Sequence, residues 1–206
     1  GVEDFFLGER VTAITYNAFA EYDIAKSENL IRVPESLNNV PCPGEPLGCA
    51  MNIFSRSDIK RGQTVAIIGI GFLGSLLVQL AHNAGARVIA ISRKNSSLEL
   101  AEKFGADEVI KMDDHWQIIE KVKNLTDGNF CERVIEATGK QWPLDLAGEL
   151  TATRGKLIVA GFHQDGPRQI NMQLWNWKGI DVINAHERDP EEYLKGMRNA
   201  VKAVEE

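Results

Sequence analysis

Gly69, Gly71 and Gly74 lie between an apolar run, 65–69, and a segment, 75–84, whose apolar residues recur at helical spacing. Glycines at these intervals suit the holding of a pyrophosphate. Gly69 lets the chain turn sharply, Gly71 has no Cβ to keep phosphates away, and Gly74 lets a helix approach a strand closely. Phe72 and Leu73 stand at the helix start, where unpaired N–H groups face an anion. A turn that binds nothing also collects glycine wherever φ must be positive, so the flanking elements have to separate the two readings.

A second group follows at Ser92-Arg93-Lys94, beginning 18 positions beyond Gly74. A site built for NAD usually keeps an acid there for the ribose hydroxyls. Here a small hydroxyl precedes two cations, a set that would hold a 2′-phosphate. Arg93 could stack or pair bidentately, and Lys94 would add a point charge. The other reading is a solvated basic turn ahead of a helix. The expected coenzyme is NADP, with NAD second.

Both groups need a scaffold, and the rest of the chain supplies its pattern. Strands are expected at 65–69, 88–92, 108–110, 133–137, 156–160 and 180–183. Helices are expected up to 84, at about 96–104, 114–125 and 143–150, and from about 190. The first helix stops at Gly85, a helix C-terminal signal. The short continuous apolar runs suit parallel strands buried on both faces, and strand-helix alternation argues for right-handed crossovers. The expected fold class is α/β, a doubly wound six-stranded parallel sheet of the Rossmann kind. The first 60 residues differ: short β segments at 10–14 and 18–24, then 30–34 leading into a loop rich in proline and glycine. Strands of that sort need partners, and too few are present to form a sheet of their own. With the last helix running uncapped to Glu206, the chain reads as a piece of a longer polypeptide.

The 206 residues are 44% hydrophobic with a net charge of −6, and the basic residues are scattered, so neither nucleic acid nor a membrane surface is an expected partner. No stretch approaches the ~20 apolar residues of a membrane span and no signal-peptide pattern opens the chain, so the expected location is cytoplasmic. Three separated cysteines, Cys42, Cys49 and Cys131, suggest reduced thiols, the latter two as small core residues. His82, His115, His163 and His186 lack metal-ligand spacing. His82 and His115 read as surface or capping residues, and His163 could touch the mouth of the coenzyme site without being catalytic. No general base is evident.

Taken together these residues resemble the medium-chain dehydrogenase/reductase superfamily, and within it the zinc-type alcohol and polyol dehydrogenases. Gly8-Glu9-Arg10-Val11 is similar to the Gly-Asp-Arg-Val turn before a catalytic-domain strand, and Ala18-Phe19-Ala20-Glu21-Tyr22 to the segment that follows. Glu45-Pro46-Leu47 matches the Glu-Pro-Leu of the polyol branch. Gly105-Ala106-Asp107 and Val134-Ile135-Glu136-Ala137-Thr138-Gly139 resemble the approach to the third strand and the fourth strand with its coenzyme loop.

The resemblance implies a partial β-rich, GroES-like catalytic segment over residues 1–45 and an NAD(P)-binding Rossmann domain over 46–206. It implies that Thr138 and Gly139 line the coenzyme ribose and that Gly161 and Phe162 approach the nicotinamide through the backbone. It makes Glu45 the one candidate metal ligand, while a helix N-terminal acid before Pro46 is the alternative. The early Cys, the Gly-His-Glu and the four-cysteine lobe of zinc-type members are absent, so zinc is expected in the full-length protein and not in this chain. The implied activity is NADP(H)-dependent interconversion of an alcohol or polyol and its carbonyl. The alternatives are a zinc-free quinone or enoyl reductase of the same superfamily and a non-catalytic dinucleotide-binding protein. Leu174, Trp175 and Trp177 are expected to pack between sheet and loop or at a subunit contact, with a homo-oligomer formed through the last strand.

Overall fold

The structure, a computed structural model, describes residues 4–15, 17 and 20–205. In chain order its elements are β1 (Val11–Ala13), β2 (Leu30–Arg32), α1 (Gly44–Ser57), β3 (Thr64–Ile68), α2 (Phe72–Asn83), β4 (Arg87–Ser92), α3 (Asn95–Lys103), β5 (Glu108–Lys111), α4 (His115–Leu125), β6 (Cys131–Glu136), α5 (Gln141–Leu150), β7 (Thr151–Val159), α6 (Met172–Lys178), β8 (Asp181–Asn184) and α7 (Pro190–Glu205). They fall into two compact units, one of residues up to 52 with those from 187 on, the other of 53–186. The sequence reads instead as one boundary after residue 45, with 46–206 as a single domain.

In the unit of 53–186 all strands are parallel, in the order β5-β4-β3-β6-β7-β8. This is the doubly wound α/β sheet expected from the alternation of elements. Its strands are continuous apolar runs because helices cover both faces. Ala66, Ile68, Ile89, Ile91 and Val134 pack on one side with Ile118, Val122, Leu146 and Leu150. Val65, Ile67, Val88, Ala90 and Ile135 pack on the other with Leu77, Val78, Ala81 and Ala101. Neighbouring residues of a strand point to opposite faces, and each fully buried large aliphatic contributes about 1.5–3 kcal/mol. A one-residue slip would move every one of them to the wrong side, so register is strongly held.

Two local features depart from the expectation. β7 starts at Thr151, directly after α5, but it pairs as Cys131↔Thr151 and next as Arg133↔Lys156. Residues 152–155 bulge between these pairs, with Arg154 at φ 60, and the regular ladder begins where the apolar pattern begins. The second feature, α6, is a short helix that its sequence encodes through its ends. Asn171 Oδ1 accepts the Leu174 N–H at 3.0 Å, and Gly179 ends the helix in the left-handed region. Trp175 packs against the core as expected, whereas Trp177 is 88% exposed.

In the other unit β1 and β2 pair antiparallel, Val11 opposite Arg32 and Ala13 opposite Leu30. The Arg10 guanidinium ties down the following loop by donating to the carbonyls of Leu37, Asn38 and Val40. Of the strand expected at 18–24, Ala18 and Phe19 lie outside the described residues, and 20–24 form no strand. Tyr22 and Ile24 are exposed, and no described strand runs beside them to satisfy their backbone. The last helix belongs here because its apolar face, Leu194, Met197 and Val201, clusters with Ile31. The Asn52 amide also donates to the Glu192 carbonyl at 3.1 Å.

Candidate functional site

The strand order reverses at β3, which has β4 on one side and β6 on the other. In open α/β sheets the loops leaving such strands diverge and leave a crevice. Here it measures about 240 Å³ and is walled by Gly69-Ile70-Gly71 after β3, Ser92-Arg93-Lys94 at and beyond the end of β4, and Ala137-Thr138 after β6, with Ser97 and Met112 beside them. Six of the residues singled out from sequence, Gly69, Gly71, Ser92, Arg93, Lys94 and Thr138, therefore meet in one cavity.

The three glycines have different physical reasons. Gly69 has φ +98, and a Cβ on it would lie 2.5 Å from Thr138 Cγ2. A Cβ on Gly74 would run into the Gly69 carbonyl, the close helix-strand approach expected of it. Gly71 differs from both. Its φ of −95 suits any residue, and nothing lies within 4 Å of where its Cβ would be. The protein itself makes no demand for glycine at this position.

The helix start beside it is open to an anion. α2 has no side-chain cap, and Ser75 N–H donates back to the Gly71 carbonyl at 2.9 Å. The N–H groups of Phe72, Leu73 and Gly74 therefore have no helical acceptor. Phe72 is exposed and Leu73 half-buried. Across the crevice Ser92 is buried while Arg93 and Lys94 are exposed, and neither cation has an acidic partner among the described residues. Ser97 stands on the first turn of α3, three residues past Lys94, and was not anticipated. Helical spacing could have found it, since positions i and i+3 share a face.

The loops after β6 and β7 are bound to one another through Glu136, to which the sequence motif by itself assigns no role. It is a fully buried acid that ends β6 directly after Val134 and Ile135. One carboxylate oxygen, Oε1, accepts from the Thr138 N–H at 2.7 Å, the Gly139 N–H at 3.0 Å and the Thr138 hydroxyl. The other, Oε2, accepts from His163 Nε2 at 2.9 Å. His163 Nδ1 in turn accepts from Arg168 Nε at 2.8 Å, and Arg168 reaches back to the Gly139 carbonyl at 2.8 Å and to Asp165. Hydrogen bonds from Lys140 and Arg168 hold the Asp165 carboxyl well below the usual carboxylate range. A Cβ on Gly139 would lie 2.5 Å from the Phe162 carbonyl oxygen, so the two loops touch backbone to backbone, and Gly161 lies against Gly139. Phe162 is exposed and stacked on His186. Gly139, Gly161 and Phe162 thus form a second group beside the cavity and not part of its wall.

Glu45 opens α1 in the other unit, exposed and ahead of Pro46. Its Oε1 accepts from Cys49 Sγ at 3.2 Å, one turn further on, with the Tyr193 hydroxyl 3.8 Å from the sulfur. Burial, reinforced by the Glu45 carboxylate, pushes the Cys49 thiol up to about 11.

Residues 73–202 match the family described as zinc-binding dehydrogenase. The chain belongs to that family. Curated relatives of this chain include a sorbitol dehydrogenase of Halalkalibacterium halodurans, 27% identical over 179 residues, with 85% of this chain and 52% of the relative covered. A D-arabitol-phosphate dehydrogenase of Enterococcus avium is 27% identical over 178 residues, covering 84% and 50%. The chain thus spans about half the length of the curated relatives it matches. Among solved structures, a protein described as a zinc-binding dehydrogenase of Sinorhizobium meliloti bound to NADP superposes with a TM-score of 0.73 at 25% identity, over 86% of this chain and 53% of the other. An acetophenone reductase of Geotrichum candidum in complex with NAD superposes at 0.70, also at 25% identity, over 88% and 50%. Neighbours at equal identity carry either coenzyme, so the choice rests on this chain's own residues.

Zinc asks for four ligands in a tetrahedron, three of them from protein where a substrate position stays open. Glu45 and Cys49 make two donors, and no group of three or more His, Cys, Asp or Glu side chains suited to a metal exists among the described residues. The donor set among the described residues does not fit the metal. A first-turn acid favourable to the helix dipole accounts for Glu45 as it stands. No described helix is long and apolar enough to cross a membrane.

Proposed function

We propose that this chain binds NADP(H) and forms the coenzyme-holding half of a dehydrogenase that interconverts an alcohol or polyol with its carbonyl. The observation that carries the reading is Gly71. Its negative φ is open to other residues and no protein atom lies within 4 Å of where a Cβ would be, so beyond a slight helix-capping preference it is a ligand brought against the backbone that asks for glycine there. A pyrophosphate meets the unpaired N–H groups of Phe72, Leu73 and Gly74 at the positive end of α2.

The preference for NADP(H) is supported by Arg93 and Lys94, two cations without an acidic partner among the described residues, beside the Ser92 and Ser97 hydroxyls in the same cavity wall. An NAD ribose is usually met by a carboxylate at this place, and no Asp or Glu lines the cavity among the described residues. Arg93 can pair a phosphate bidentately while Lys94 and the hydroxyls close around it. Thr138, with its N–H and hydroxyl fastened to Glu136, holds the opposite wall, and Gly139, Gly161 and Phe162 continue it towards the nicotinamide. When bound, the coenzyme supplies or accepts the hydride. The sheet edge at β8, whose Val182 is exposed, would pair with the same strand of a second copy. If a metal centre forms in a longer polypeptide, Glu45 would contribute one carboxylate and further ligands must come from outside these residues.

Calorimetric titration of the chain with NADPH, NADH and 2′,5′-ADP tests the reading. NADPH and 2′,5′-ADP are expected to bind with NADH weaker by about tenfold or more, the scale of one charge-assisted contact. Equal affinities for NADPH and NADH would remove the phosphate role, and no binding by any of the three would remove the coenzyme reading.

A further inference from the structure

Arginine carries only hydrogen-bond donors. Because Arg168 Nε donates to His163 Nδ1 at 2.8 Å, that nitrogen must present its lone pair, and the ring proton sits on Nε2, which donates to Glu136 Oε2 at 2.9 Å. The imidazole is thereby held neutral and in one tautomer between an anion and a cation. The circuit then closes, since Arg168 donates to the carbonyl of Gly139 and the Gly139 N–H donates to Glu136. Glu136 also fixes the second loop through its own backbone, with its carbonyl accepting from the Ala160 and Gly161 N–H groups, each at 2.8 Å.

We propose that His163 is a positioning residue for the nicotinamide half of the coenzyme: as a neutral donor-acceptor bridge between Glu136 and Arg168 it clamps the loops after β6 and β7 at one separation. The inference rests on the coenzyme reading above and adds to it a device that acts on one half of the ligand only. The adenosine half meets residues 69–71, 92–94 and 97, none of which belongs to the circuit. Thr138 is the point of contact between the two. It lines the cavity, its N–H and hydroxyl are held by Glu136, and its methyl group stands where a Gly69 side chain would be. Beyond it lie Gly139 and Phe162, whose backbones touch with no room for a Cβ. Loosening the clamp therefore alters the wall that follows Thr138 and leaves the phosphate end intact.

Three variants test this. His163→Phe keeps a ring but loses both the donor and the acceptor. His163→Gln keeps one of each on a neutral side chain. Arg168→Met removes the outer partner from a mostly buried position and leaves His163 in place. Each is titrated with NADPH and with 2′,5′-ADP, which lacks the nicotinamide half, after thermal unfolding has shown it to be folded. His163→Phe and Arg168→Met are expected to weaken NADPH about tenfold, the scale of losing one hydrogen bond to a charged group, with 2′,5′-ADP within about twofold of the parent. His163→Gln is expected to recover most of the NADPH affinity. If His163→Phe does not fold, Arg168→Met carries the test alone. NADPH binding unchanged in both, equal losses for both probes, or no recovery in the Gln variant would overturn the clamp while leaving the coenzyme reading standing. A parent chain that binds neither probe overturns the reading and the clamp together.

Discussion

Replacing Gly71 and Gly74 separately by alanine should split stability from binding, although the two positions are three residues apart in one turn. At Gly71 the added methyl meets nothing within 4 Å at a backbone φ of −95. Alanine there loses a slightly better helix cap and gains a less flexible unfolded chain, effects of a few tenths to about 1 kcal/mol in opposite directions. The melting temperature should move by no more than about 3 °C, given about 2–4 °C per kcal/mol for a chain of this size. NADPH affinity should fall about 10- to 100-fold, because the methyl holds the pyrophosphate off the helix N–H groups and a hydrogen bond to a charged group contributes about 1.5–3 kcal/mol. At Gly74 the methyl collides with the Gly69 carbonyl inside the strand-turn-helix contact. The turn must shift, with a destabilisation of about 1–3 kcal/mol as for other overpacked interiors and a melting temperature lower by roughly 3–10 °C. Circular dichroism melts and NADPH titrations of the two proteins measure both quantities. A Gly71→Ala protein that melts as low as Gly74→Ala, or that binds NADPH like the parent, would refute the argument that a ligand shapes position 71.

Other outcomes are equally open to measurement. Arg93→Ala should weaken NADPH about tenfold more than NADH in parallel titrations, as expected of a lost bidentate phosphate contact, and equal losses would remove Arg93 from the phosphate site. Hydrogen bonds from Lys60 and Lys156 hold the Asp58 carboxyl down at about 2. Its folded value lies below the unfolded value of about 3.9, so its contribution is complete above about pH 4 and is lost as pH falls through about 2. Chemical unfolding between pH 5 and 2 should accordingly show a shallower acid limb in Asp58→Asn. Burial pushes the Cys131 thiol up to about 12, so iodoacetamide at pH 8 should leave Cys131 unlabelled until the chain unfolds, which peptide mass spectrometry reads directly. Ile67→Ala, in the fully buried centre of β3, should cost about 2–5 kcal/mol in denaturant unfolding.

Much of the sheet was legible because its signals are local. Apolar runs of strand length, helical spacing after Gly74 and a stop at Gly85 each depend on near neighbours, and alternation with right-handed crossovers then restricts topology. Elements whose fate depends on distant partners were less legible. Residues 20–24 have the composition of a strand but no described strand to pair with. The face of α7 that carries Leu194 and Met197 looks like any amphipathic helix until Ile31, more than 160 positions earlier, is found against it.

The same division runs through the site. The glycine intervals and the Ser92-Arg93-Lys94 turn could be read directly, since phosphate chemistry restricts which residue types stand next to one another along a chain. Folding alone distinguished the glycines from each other: two are required by neighbouring protein atoms, and Gly71 by none. Folding also joined Glu136, His163 and Arg168, whose bonds span 27 and 5 residues, into one circuit. A side chain's partner across loops follows from where strands end in space, and this chain's sequence records that only through the packing of its whole sheet.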